Sequence, residues 1–92
     1  MANIVKLLGA EVSVSAAIGN SSTVGSATLV RVYNSSGSTN VISVTDPTGV
    51  DAYGGIGSIT VVDGAVEYIA KPSSYTIWGS GAFKATKVGF TN

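Results

Sequence analysis

The chain has 92 residues, five acidic and five basic side chains, twelve glycines, and neither histidine nor cysteine. So few and scattered cations exclude the phosphate-tracking stripe of a nucleic-acid binder, and the missing residue types exclude disulfides, thiolate zinc sites and the usual general base. Ten charged side chains spread over roughly 5,000 Å² of folded surface leave a single small domain, residues 1–92, much of whose surface is expected to be covered by partners.

Residues 1–17 combine one lysine, a short apolar run and small residues, which would suit a secretory signal, but Glu11 interrupts the run and two strands are the better reading. Over 11–18, Val12, Val14, Ala16 and Ile18 alternate with Glu11, Ser13, Ser15 and Ala17, which predicts a strand with one buried face. A turn over 19–22 leads to a strand over 28–33 with apolar residues on both faces, so it is expected to be central or partner-covered. The polar stretch NSSGSTN, 34–40, reads as a loop, and 41–45 resumes the alternation with Ile42 and Val44 opposed to Ser43 and Thr45.

Residues 46–57, DPTGVDAYGGIG, form the longest irregular segment and are expected to be a mobile or partner-ordered loop. Asp63-Gly64 between apolar runs predicts a two-residue hairpin joining strands over 58–62 and 65–69. Pro72-Ser73 and Ser80-Gly81 supply two further turns before a final strand over 82–90. No helical period is convincing and no run approaches the roughly 18 apolar residues of a membrane-spanning helix. The fold expected is all-β, a compact antiparallel sandwich or small barrel of seven to eight short strands.

Chemistry is sparse. Asp46 and Asp51 lack the spacing of a calcium loop, Gly54, Gly55 and Gly57 lack the lysine and helix of a phosphate loop, and the acids fall in turns or on polar faces rather than as a facing pair. The Asn-Ser-Ser triplets at Asn20 and Asn34 fit the glycosylation pattern but carry little weight in a chain rich in serine and threonine. No catalytic, cofactor or metal site is therefore expected.

A hairpin turning at Pro72-Ser73 would pair Ala70 with Tyr75, Tyr68 with Ile77 and Val66 with Gly79, making those apolar side chains a core face. The opposite face would then carry Glu67, Ile69, Lys71 and Trp78, the composition of a protein contact, with Asp51 and Tyr53 of the long loop as a second contact. Two alternatives stand beside this one: Trp78 tucked under a loop of its own domain, or an odd-length loop that slips the register and sends Trp78 into the core.

The N-terminal strand with its lysine and leucines, RVYN at 31–34, GSITV at 57–61 and the ending VEYIAKPSSYTIWGSGAFKATKVGFTN together resemble the small all-β virion structural proteins of tailed bacteriophages, cyanophages among them. The resemblance implies a non-enzymatic capsid decoration, or cement, protein on the capsid surface of the virion. Its partners would be the major capsid protein and copies of itself, with a trimer as one candidate state, and no nucleic acid, membrane, cofactor or small-molecule substrate. A neck, tail or tail-fibre module is the alternative, contacting other virion proteins or stacking host glycans on Tyr53, Tyr75 and Trp78.

Overall fold

A computed structural model describes residues 4–46 and 55–91. Eight strands are formed: β1 (Ile4–Leu7), β2 (Val12–Val14), β3 (Leu29–Tyr33), β4 (Asn40–Thr45), β5 (Gly55–Val61), β6 (Val66–Ala70), β7 (Thr76–Gly79) and β8 (Phe83–Thr91), with one 3₁₀ turn at Ile18–Asn20. They make two antiparallel sheets, one ordered β1-β8-β3-β6 with β2 also on β8, the other ordered β5-β4-β7. The architecture is an open sandwich rather than a closed barrel.

Period-two alternation accounts for most of the strands. On β3, Val30 and Val32 are fully buried between the sheets, and their register partners Lys87 and Ala85 put the odd-numbered residues of β8 on the same side. Phe83 and Ala85 of β8 meet Ile42 and Val44 of β4, Val61 of β5 and Ile77 of β7 in one apolar cluster. Each buried valine, isoleucine or phenylalanine of that cluster contributes about 1.5–3 kcal/mol. As its two-faced sequence predicts, β3 is central, with β8 on one edge and β6 on the other.

β1 and β2 run along one edge of β8, and the residues between them, 8–11, lie opposite only Thr86 and Lys87. The expected long strand over 11–18 stops at Val14 because Ala17 takes a positive φ of 83° and donates its N–H to Gly79 O at 3.0 Å. The chain then follows the outer edge of β7, where Ser22 and Ile77 exchange N–H···O bonds of 3.0 and 2.8 Å, so that edge is closed from within.

The loop over 34–40 is present, but its two asparagines are fully buried. Asn34 Nδ2 donates to Ser38 O and Val61 O, each at 2.8 Å, while Oδ1 accepts from Ser36 N–H and Oγ. Asn40 does the same for the 80–82 turn, donating to Gly81 O and Ala82 O and accepting from Gly81 N–H and Ser80 Oγ. An amide has two donor hydrogens and two acceptor positions, so neither side chain leaves a buried group unpaired. Burial also removes Asn34 from consideration as a glycan acceptor in the folded chain.

Three expectations need correction. Gly55 and Gly57 belong to β5, not to the preceding loop, and a bulge opposite Val44 and Thr45 accommodates the extra residue. Asp63-Gly64 does turn, with Ala65 N–H donating to Val62 O at 3.1 Å, but only Gly64 has a positive φ, and β5 and β6 enter different sheets. Likewise β6 pairs with β3 and β7 with β4, so the 66–79 segment is an arch between sheets and the pairings of Ala70 with Tyr75, Tyr68 with Ile77 and Val66 with Gly79 do not form.

Candidate functional site

That arch redistributes the residues expected at a single contact. Glu67 and Ile69 lie on the core side of β6, opposite Val32 and Val30, with Glu67 exposed and Ile69 packed against the core. Trp78 belongs to the other sheet and faces outward beside Ser43, half-buried, with Nε1 enclosed and without an acceptor. Ser43 and Ser58 bond through their hydroxyls at 2.8 Å on that face, and Thr45 and Thr76 at 3.1 Å. Asp51 and Tyr53 lie outside the described residues.

Lys71 is the clearest correction. It is 4% exposed, and its ammonium donates to Ala27 O at 2.8 Å, Tyr75 O at 2.9 Å and Pro72 O at 3.4 Å. Ala27 O is presented by a tight turn in which buried Val24 holds a φ of 53° and Ser22 Oγ accepts its N–H at 3.0 Å. Burial lowers the Lys71 pKa from the ordinary lysine value of 10.5, because removing water penalises the charged form. This lysine is a staple between the 22–28 segment and the arch, not the rim of a partner surface.

An exposed apolar patch with two aromatic rings lies instead on the outer face of the larger sheet. Tyr68 sits there opposite Arg31, and its ring meets Phe90 with centroids 5.2 Å apart at a tilt of 56°. The register puts Val5, Leu7 and Val88 on this face too, and Val88 is buried there although it takes no part in the inter-sheet cluster. Tyr68 is 42% exposed, Phe90 43% and Leu7 71%. A groove of about 540 Å³ runs between Val5, Leu7, Thr86 and Tyr68, and is bordered by Arg31 and Glu11, whose charges approach to 4.0 Å. That ion pair is exposed and contributes little energy, but it gives the groove a polar rim.

A second opening, of about 330 Å³, lies between the sheets where β5 and β6 leave the sandwich unclosed, lined by Ile42, Val44, Ile59, Tyr68 and Ile69. Alternation along β6 is legible in the sequence, but its faces are opposite to those expected: Tyr68 faces outward and Ile69 faces the core. What decides the faces is non-local: β6 pairs with the two-faced strand β3.

Among the described residues no cluster of three acidic side chains is placed to hold a metal ion, and Asp46 is buried. No helix among the described residues is long and apolar enough to cross a membrane. The chain matches no family model, no curated protein and no solved structure.

Proposed function

We propose that this chain is a non-enzymatic structural subunit of a virion, a capsid decoration protein that binds and stabilises the lattice of the major capsid protein. The observation that carries the reading is the outward apolar face of the larger sheet, where Tyr68, Phe90 and Leu7 stand exposed around a groove rimmed by Arg31 and Glu11. Aromatic anchors inside a polar rim have the composition of a protein contact, and a chain with ten charged residues has little else to keep such a face in water. The virion assignment itself comes from the sequence resemblance to phage structural proteins.

Glycan stacking is the weaker alternative, since Tyr75 packs toward the core while Trp78 lies on the outer side of β7, so the two do not share a platform. A neck or tail position would use the same Tyr68 face, and imaging of labelled protein on particles separates it from the capsid surface. The test of the contact is Tyr68→Ala. It is expected to lower capsid attachment by about 2 kcal/mol, roughly thirtyfold in affinity, with the fold retained. Wild-type occupancy of capsids by Tyr68→Ala under dilution would refute the face as the contact.

A further inference from the structure

Among the described residues the larger sheet ends in two edges without a further strand, β1 on one side and β6 on the other. We infer that these edges join between copies of the chain: β1 of one copy adds to β6 of the next, continuing the sheet head to tail. The inference stands on the geometry of these two edges and is independent of which larger assembly the chain joins.

Strand direction favours this joining. β1 and β3 both run antiparallel to β8, and β6 runs antiparallel to β3. A copy added at the β6 edge with its sheet facing the same way therefore brings β1 antiparallel to β6, the arrangement of every other pair in this sheet.

Backbone phase favours it as well. Leu8 N–H donates to Lys87 O at 2.9 Å next to the Leu7–Val88 pair, which directs the backbone groups of Ile4 and Lys6 toward β8 and those of Val5 and Leu7 outward. Lys71 N–H donates to Thr28 O at 3.0 Å next to the Leu29–Ala70 pair, so Val66, Tyr68 and Ala70 direct theirs away from β3. Setting Val5 opposite Tyr68 and Leu7 opposite Val66 joins free groups to free groups on both strands.

The side chains agree with that register. Lys6 falls opposite Glu67, both exposed and both on the core side of the sheet, because Lys6 pairs with Gly89 and Glu67 with Val32. Ile4, 65% exposed in the single chain, falls opposite Ile69 at the mouth of the cleft beside Ile59. On the other side, Val5 and Leu7 extend the apolar face of Tyr68 across the seam. Shifting β1 by two residues in either direction keeps the phase but parts Lys6 from Glu67. Because the two edges differ, repetition makes rings or open filaments.

The test is sedimentation velocity of the full chain over a wide concentration range, with zero-length carbodiimide crosslinking of mixed light and heavy isotope copies. Wild type is expected to associate and to give a Lys6–Glu67 crosslink between differently labelled copies. Lys6→Glu and Glu67→Lys should each weaken association about tenfold, and the double reversal should restore it. Val5→Pro should abolish association while circular dichroism stays unchanged, since the N–H it removes points away from β8. A chain monomeric at every concentration, indifference to both reversals, or failure of the double reversal to restore association overturns the inference. The two proposals fail separately, because a monomeric chain can still attach to capsids and an assembling chain can still ignore them.

Discussion

Replacing Lys71 by Met removes the charge while keeping an unbranched apolar chain of similar length in the same slot. The side chain donates two short bonds, 2.8 Å to Ala27 O and 2.9 Å to Tyr75 O, and one longer bond to Pro72 O. Charge-assisted bonds contribute roughly 1.5–3 kcal/mol each, and part of that is offset by the cost of keeping an ammonium out of water. The net loss expected for Lys71→Met is about 2–3 kcal/mol, which for a domain of this size lowers the melting temperature by roughly 10–20 °C. The pH dependence supplies a second signature. The folded pKa lies below the unfolded value of 10.5, so the unfolded chain binds more protons between the two, and wild-type stability gains from this group as pH rises through that interval. The stability difference between wild type and Lys71→Met should therefore widen over the same interval. Denaturant melts of both chains from neutral to alkaline pH measure it. A variant within about 0.5 kcal/mol of wild type at all pH values would refute the staple.

Gly79→Ala is expected to destabilise by about 2–3 kcal/mol, because a Cβ there would lie 2.6 Å from Asn40 Oδ1 and 2.9 Å from Gly81 O, and Asn40 is held by its own bonds; a thermal melt checks this. Trp78→Phe should change stability by less than about 1 kcal/mol, since the apolar area lost is offset by removing an enclosed N–H that has no acceptor, and chemical denaturation reads the difference.

The parts of the fold legible in the sequence were those that depend on side-chain period alone. Val30 and Val32 of β3, Ile42 and Val44 of β4, and the long last strand follow from alternation over a few residues. The sheet to which each strand belongs does not. Asp63-Gly64 and Pro72-Ser73 have the chemistry of hairpin turns, yet the first turn is tied to Asn34, whose C=O accepts from Gly64 N–H and whose N–H donates to Ala65 O. Those bonds direct the chain across to the other sheet, and no local pattern near residue 64 announces them. Lys71 departs from expectation for a related reason. A lysine beside a proline turn reads as solvated, and its burial depends on a carbonyl at Ala27, far away in the chain. Tyr68 follows the alternation with the opposite sign, because the side of β6 richer in apolar residues is the one that faces outward.

β8 has a further consequence, for the order in which the chain folds. It is the last strand, and it pairs with β1, β2 and β3, joining Ile4 to Thr91. Of the described strands, only β4 and β5 are both successive and directly paired, so almost every ladder must close a long loop before it gains a bond. Such topologies fold slowly, on the order of milliseconds to seconds. On the ribosome the first strand emerges early and waits for the last, leaving Ile4, Leu7 and Leu8 without their eventual neighbours throughout synthesis. At about 5–20 residues per second that wait lasts several seconds, long enough for a nascent chain to meet another before it has met itself.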